Sequence, residues 1–243
     1  MAVEPIFTTE KDCPICKKTF SATKARTRLT MLKQDSDYCT YYKEVNPNFY
    51  AIWVCPHCGY AAMDTYFAEQ TAAAVEKIRT FLSGREVNVN FSGPRTREQA
   101  IATYKLAIFY AELSSALNSR LGALYLRLAW LYREGEEPQQ EQRTLDKART
   151  YYEQALLKER LPIGNMSQMA LEYLIGELLR RTGKLDMAVS YLGKVVGNPL
   201  AKLENRVLQM AKAAWHQARE TKKQLAAAKE TGQETEQAPA KQS

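Results

Sequence analysis

Between about residue 62 and residue 228, apolar positions recur every three or four residues, which is the period of an amphipathic α-helix. The same region is rich in Ala, Leu, Glu, Gln, Lys and Arg, which favour helices. Glycine and proline interrupt the pattern at intervals and mark helix ends. The pattern predicts seven helices, over residues 63–83, 95–118, 120–134, 138–159, 167–182, 185–197 and 199–228.

A spacing of small and large residues repeats within these helices, with a larger residue four positions after a small one and a third residue three positions later. The three copies are Ala100, Tyr104 and Ala107; Ala148, Tyr152 and Ala155; and Ala188, Leu192 and Val195. Small residues let paired helices approach, while larger ones fill the space between them. We therefore predict a tetratricopeptide-like α-solenoid of about three degenerate repeats. A generic helical bundle is the alternative, because periodicity alone does not separate the two.

The first 60 residues follow a different pattern, with alternation of period two in a segment from residue 24 to residue 32. Its basic side chains share one face, and they are Lys24, Arg26 and Arg28. This alternation predicts a strand with a solvated basic face. The aromatic and β-branched segment that ends at Cys55 predicts a second strand. Between them, Asp35, Asp37 and Asn46-Pro47 predict turns.

Four of the five cysteines form two Cys-Pro-x-Cys pairs, which are Cys13 with Cys16 and Cys55 with Cys58. Two thiolates three positions apart on a tight turn can bind one metal ion, and Gly59 permits the positive φ of such a turn. Two turns brought together by a β-hairpin give a tetrahedral four-sulfur site. Zinc is the expected ion. Iron in a rubredoxin-like site is the alternative, because its ligands and geometry are the same.

A shell of four thiolates leaves no open position for a catalytic water, so the metal is expected to be structural. Cys39 is expected to be a small buried residue, with a spare thiol near the metal as the alternative. Asp35 and Asp37 are typical of turns and converge with no recognisable catalytic partner. We therefore expect that the protein is not an enzyme.

The formal net charge is +7, from 34 basic and 27 acidic side chains. This mild excess permits weak attraction to nucleic acid without requiring it. The candidate contact residues for nucleic acid or a partner are Lys24, Arg26, Arg28, Tyr41 and Tyr42. No signal peptide or membrane span is apparent in the sequence, and paired cysteines outside an oxidising compartment indicate metal binding. We expect a cytoplasmic protein that does not contact membranes.

Several segments together resemble the bacterial DUF2225 family: CPIC, DSDYC, NPNFY and WVCPHCGYAA, followed by a helical region. The features that make the resemblance specific are Asp35, Asp37, Pro47, Tyr50 and Gly59-Tyr60. The resemblance implies a zinc-ribbon-like head and a repeat-like helical body. It implies no particular activity.

Taken together, these patterns predict a mainly α protein with three parts: a metal-binding head at 1–62, a helical body at 63–228 and a disordered tail at 229–243. The expected function is a non-enzymatic zinc-binding adaptor whose helical surface binds an unknown protein or peptide. Nucleic-acid binding through the basic segment 24–28 is the alternative. A redox-responsive zinc switch is a weaker one, since releasing the ion loosens a zinc-stabilised fold.

Overall fold

The computed structural model describes residues 4–87 and 89–236. The chain divides into two compact units, Met1–Glu159 and Arg160–Ser243. Within the described residues there are seven α-helices and three two-stranded antiparallel sheets. The predicted mainly α fold with an N-terminal β-hairpin region that carries the cysteines is confirmed.

Each of the three sheets is a hairpin of neighbouring strands. They are β1 (Ile6–Asp12) with β2 (Thr19–Ala25), β3 (Met31–Gln34) with β4 (Thr40–Tyr42), and β5 (Ile52–Val54) with β6 (Ala61–Met63). The first and third hairpins each turn at one Cys-Pro-x-Cys sequence. Each cysteine pair therefore sits at the tip of its own hairpin, and the expectation that one hairpin between the pairs joins them is wrong.

The strand predicted over residues 24–32 is also wrong. Strand β2 ends at Ala25 and β3 begins at Met31, so the residues between them form a connection. In β2, exposed Thr19 and Ser21 alternate with buried Phe20 and Ala22, as expected for a strand with one buried face. This alternation ends before the basic segment. The second predicted strand is shortened for a local reason. Pro47–Tyr50 forms a 3-10 turn capped by Asn46, and only Ile52–Val54 pairs as β5.

Four helices belong to the first unit: α1 (Ala72–Leu82), α2 (Arg97–Leu113), α3 (Asn118–Glu134) and α4 (Pro138–Lys158). Helix α1 starts later than predicted. Ala61–Met63 forms a strand paired with β5, and the helix begins only at Ala72. The Thr71 side chain accepts a hydrogen bond from Ala74 N and fixes the new start. The other three helices begin and end within a few residues of the predicted positions.

The first and third hairpins share a single hydrophobic core with helices α1–α3. Its centre is an aromatic group in which the Phe67 ring lies 5.5 Å from Phe20, 5.8 Å from Trp53 and 5.1 Å from Tyr60. Tyr60 in turn lies 5.5 Å from Tyr110 of α2. The predicted head–body boundary at residue 62 therefore falls inside one packed core and one compact unit. Composition changes at that point, but the packing continues across it.

The repeat residues are buried, as the spacing predicts. In the first unit, a Cβ on Gly122 of α3 would lie 2.9 Å from the ring of Tyr152 of α4, so the glycine allows the two helices to approach closely. Tyr152 itself is 4% exposed. This close approach of paired helices is consistent with the tetratricopeptide-like interpretation, which stays a prediction.

The second unit contains α5 (Gln168–Arg181), α6 (Leu185–Val196), a 3-10 turn at Ala201–Glu204 and α7 (Asn205–Glu236). Here a Cβ on Gly176 would lie 2.7 Å from Leu192 Cγ, which repeats the arrangement of α3 and α4. Helix α7 continues past residue 228 to Glu236, into the segment expected to be disordered, whose Lys, Glu and Gln residues favour a helix. The rest of the predicted tail, residues 237–243, lies outside the described residues.

Candidate metal centre

The four paired cysteines converge on one point. Cys13 Sγ lies 3.6 Å from Cys58 Sγ, and Cys16 Sγ lies 3.7 Å from Cys55 Sγ. All four sulfurs lie within 4.8 Å of one another. A tetrahedral site with Zn–S bonds of about 2.3 Å has sulfurs about 3.8 Å apart. The cluster therefore has the dimensions that a single tetrahedral ion needs, and both of these contacts join sulfurs from different hairpins.

The first turn is held by its own backbone and by helix α1. Cys13 N donates to Lys18 O at 3.0 Å, and Lys17 N donates to Cys13 O at 2.9 Å. Lys17 adopts a left-handed backbone with φ of 64°. Arg79 Nε of α1 donates to Ile15 O at 2.9 Å. The turn is thereby attached to the helix at Ile15, which lies between its two cysteines.

The second turn has the same backbone hydrogen bonds. Cys55 N donates to Tyr60 O at 2.9 Å, and Gly59 N donates to Cys55 O at 2.8 Å. Gly59 is left-handed with φ of 74°, and a Cβ at this position would lie 2.9 Å from Val87 Cγ1. The next residue, Tyr60, is buried in the aromatic core. The glycine therefore serves both the turn and the close packing around it.

Burial and donor type make this a closed cluster. Cys13 and Cys55 have no exposed surface, Cys58 is 9% exposed and Cys16 is half-buried. His57, within the second turn, has its Nε2 3.2 Å from the carbonyl oxygen of Thr19 and is not one of the converging ligand groups. Four thiolates around one ion would complete a tetrahedral shell with no open position.

Protonation of the thiols is strongly coupled. Hydrogen bonds from Cys13 and Cys58 lower the pKa of Cys55, while the hydrogen bond to Cys55 raises the pKa of Cys13 to about 12. The hydrogen bond to Cys13, that to Cys55 and burial all raise the pKa of Cys58. Four sulfurs this close favour one thiolate among thiols unless a cation compensates the negative charge. A metal ion supplies that charge, and its binding releases protons.

Comparison with known proteins decides the family. The sequence profile described as "Uncharacterized protein conserved in bacteria (DUF2225)" matches residues 6–218. The chain belongs to the DUF2225 family. The matched segment includes both cysteine turns and helices α1–α6, so the family resemblance seen in the sequence is confirmed over most of the chain.

A curated relative from Borreliella burgdorferi carries the description "Uncharacterized protein". It is 31% identical to this DUF2225 protein over 166 residues, which is 58% of each chain. The chain thus spans little more than half the length of that relative. No solved structure matches the chain significantly.

The candidate basic contact residues do not lie along one strand face. Lys24 is in β2 and forms an ion pair with Asp64 at 3.0 Å. Arg26 Nε donates to Glu4 O at 2.7 Å, and its guanidinium lies 5.2 Å from the Phe7 ring. Arg28 is exposed in the connection between β2 and β3. Two of the three basic side chains are therefore engaged within the protein.

Asp35 and Asp37 attach the second hairpin to helix α3. The guanidinium of Arg133 donates to Asp35 at 3.0 Å and to both oxygens of Asp37, at 3.0 and 2.6 Å. Trp130 Nε1 also donates to Asp37 at 3.1 Å, and Tyr41 OH donates to Asp35 at 3.0 Å. Asp37 has no exposed surface. These contacts give the paired carboxylates a structural role in docking the hairpin, and the Tyr41 hydroxyl belongs to the same network.

Cys39 lies in this hairpin and outside the metal cluster. It is 4% exposed, and burial raises its pKa to about 12. The expectation of a small buried residue is confirmed, and Cys39 is not among the converging ligand groups.

Three residues on α3 were not predicted from the sequence to line a site. Arg127, Trp130 and Arg133 follow one another at steps of three residues and therefore share a face of the helix. The helix-packing spacing of Trp130 is typical of a core residue, yet its side chain is only half-buried. A tryptophan with an arginine three residues before it and another three residues after it is a sequence pattern that could have indicated a binding surface on α3, away from the metal cluster.

No helix in residues 4–87 and 89–236 is both long enough and apolar enough to span a lipid bilayer.

Proposed function

We propose that this protein is a non-enzymatic cytoplasmic adaptor that uses a structural zinc ion to build its N-terminal unit and binds a protein or peptide through its helices. The observation that carries the proposal is the convergence of four cysteine sulfurs, paired at 3.6 and 3.7 Å, inside a packed core. Zinc is the usual ion for a cysteine-only site of this kind, and a reducing compartment keeps such thiols available.

The position of the cluster supports a structural role for the ion. Both turns are continuous with the core that includes α1, α2 and α3. Arg79 and Tyr110 link the turns to α1 and α2. The ion would therefore join the first and third hairpins, and its binding free energy would stabilise the whole first unit.

A surface shared by α2, α3 and α4 supports partner binding. Tyr125 and Tyr151 stack with ring centroids 5.4 Å apart and planes 12° apart. Both hydroxyls donate to Glu112 Oε1, at 3.0 and 3.2 Å. The two tyrosines are half-buried and their geometry is already fixed by the shared carboxylate. Rigid, partly exposed tyrosines are enriched at protein interfaces, since they contribute contact area at a small entropic cost.

The test is crosslinking in cells followed by purification of the intact chain and identification of bound proteins. We expect one defined protein at a constant ratio with the wild type. It should be lost with Tyr125→Ala/Tyr151→Ala and retained with Lys24→Ala/Arg26→Ala/Arg28→Ala. Thermal unfolding of both variants checks that the fold persists. Retention of the same protein by the tyrosine variant would overturn the proposed surface.

The nucleic-acid alternative gives the opposite result in the same experiment. Recovered RNA or DNA that is lost only from the Lys24, Arg26 and Arg28 variant, and that falls off steeply with added salt, would replace the adaptor proposal. The ion pair of Lys24 with Asp64 and the contacts of Arg26 are the reason that we favour a protein partner.

A further inference from the structure

A cavity of about 310 Å³ lies where the second hairpin and the 3-10 turn meet helix α3. Its walls include Tyr38, Tyr42, Asn48, Arg127 and Trp130. The volume is at the lower end of the range of about 300–1,000 Å³ that is usual for small-molecule sites. The cavity is separate from the metal cluster, and the contacts described so far give it no role.

Two polar side chains in the cavity wall have no hydrogen-bond partner among the side chains that the structure describes. The Asn48 residue is 9% exposed, and only its backbone atoms form hydrogen bonds, with Asn46 and Tyr104. The Tyr42 hydroxyl is the second such group. Both side chains can therefore hydrogen-bond a molecule bound in the cavity without giving up an existing contact within the protein.

Arg127 supplies the charge. In the described part of the chain, no carboxylate forms an ion pair with its guanidinium. The guanidinium lies near Tyr104, where burial raises the pKa of the phenol to about 12 and Arg127 partly opposes that rise. The Tyr104 hydroxyl donates to Asn48 O at 3.1 Å. This buried tyrosine therefore contacts two groups of the cavity wall and fixes their positions.

The neighbouring carboxylate does not neutralise Arg127. Asp37 accepts hydrogen bonds from Trp130 Nε1 and from both terminal nitrogens of Arg133. The negative charge of Asp37 is therefore balanced by Arg133. The hydrogen bond from Trp130 Nε1 holds the indole ring in place at the wall of the cavity.

The hairpin turn places a second aromatic ring at the cavity at a conformational cost. Tyr38 has a left-handed backbone with φ of 68°, a conformation in which glycine or asparagine is usual. Strained non-glycine residues of this kind cluster at binding sites, where the side chain is needed. Here the side chain lines the cavity.

We propose that this cavity binds a small planar molecule that carries an oxyanion, with the carboxylate or phosphate group on Arg127, Asn48 and Tyr42 and the planar group against Trp130 and Tyr38. Arginine suits both oxyanions because its N–H groups match their geometry. The side chains that converge here offer N–H and O–H donors, and the rings offer flat apolar faces. This proposal is independent of the protein partner.

The experiment is isothermal titration of the intact, metal-loaded protein with three probes: benzoate, phenyl phosphate and benzyl alcohol. We expect saturable binding of at least one anionic probe with a dissociation constant below about 1 mM, as its size allows. Benzyl alcohol should bind at least tenfold more weakly. Tighter binding of phenyl phosphate would indicate a phosphorylated ligand, and tighter binding of benzoate would indicate a carboxylate.

Variants distinguish this site from adventitious binding. Arg127→Gln should weaken the anionic probe at least tenfold, while Arg143→Gln, which removes an exposed arginine away from the cavity, should leave it unchanged. Tyr42→Phe removes an unpartnered hydroxyl without disturbing a contact, so it should fold normally and weaken binding by about threefold or more. Absence of binding to both anions, equal binding of benzyl alcohol, or undiminished binding by both cavity variants would overturn the proposal.

Discussion

Lys17 and Gly59 occupy equivalent positions in the two cysteine turns, and both have a left-handed backbone, with φ of 64° and 74°. Their surroundings differ. Lys17 is exposed, whereas a Cβ at Gly59 would lie 2.9 Å from Val87 Cγ1. The same turn therefore tolerates a lysine at one site and requires the smallest residue at the other. The difference arises from packing around the turn and not from the turn itself.

Gly59→Ala should destabilise the protein by about 2 kcal/mol or more, since it adds a left-handed strain of about 1–2 kcal/mol and a steric clash. Gly84→Ala is the matched control, because Gly84 has φ of 72° and a Cβ added there would meet no atom within 4 Å. It should show the backbone strain alone. Urea unfolding of both variants measures the difference, and equal losses would refute the packing argument.

One zinc ion per chain should be found by elemental analysis of protein purified under reducing conditions. Cys58→Ser should lower the content below half, while Cys39→Ala should retain it, because only the first lies in the cluster. Cobalt in place of zinc should show the absorption bands of a tetrahedral thiolate site. A red protein with iron would favour the rubredoxin-like alternative, and a metal-free folded wild type would contradict the proposed site.

Loss of the metal should unfold the first unit as a whole and not the hairpins alone. The cysteine turns share their core with α1–α3, so no boundary at residue 62 protects those helices. With a chelator, we expect amide exchange to rise from the hairpins through α4, while α5 and α6 stay protected. Exchange confined to residues before 62 would instead support the predicted head as a separate domain.

The helices and the metal ligands were the predictable parts of this fold, for two physical reasons. Helical hydrogen bonds are local, so periodicity and breakers place α2 to α6 to within a few residues. The Cys-Pro-x-Cys spacing is likewise a local requirement of a metal-binding turn. Strands depend on partners elsewhere in the chain, and the alternation at Lys24, Arg26 and Arg28 predicts a strand wrongly because no paired strand continues beside it.

The cavity and the carboxylate network could not be deduced in the same way. Asp37 and Arg133 are 96 residues apart in the chain and meet only because the second hairpin and helix α3 pack together. The sequence predicts Asp35 and Asp37 as turn residues, and their local structure agrees with this. Their second role depends on a contact that no periodicity encodes.

Arg133→Gln should therefore destabilise the protein by about 3–5 kcal/mol, because it leaves the fully buried Asp37 without a cation. Adding Asp37→Asn to this variant should recover part of the loss. Arg149→Gln is the comparison, since Arg149 pairs within α4 with Asp146 and Glu153, whose side chains are 41% and 20% exposed while that of Asp37 is fully buried, so its loss should cost less than the loss of Arg133. A double-mutant cycle in urea measures the coupling, and additive effects would contradict a direct interaction.

Gly176 and Gly193 provide an internal test of the proposed close approach of helices in the second unit. Alanine in place of a helical glycine ordinarily stabilises a protein by up to about 1 kcal/mol. Gly193→Ala should show this gain, because the nearest atom, Trp215 Nε1, would be 3.5 Å from the new Cβ. Gly176→Ala should instead lose about 1–3 kcal/mol, because its Cβ would meet Leu192 Cγ at 2.7 Å and Leu192 N at 3.3 Å. Adding Leu192→Ala should remove the clash and make Gly176→Ala favourable. If the single variant Gly176→Ala were more stable than the wild type, the two helices would not be in close contact at this residue. The repeat-like pairing of small and large residues would then have no physical basis.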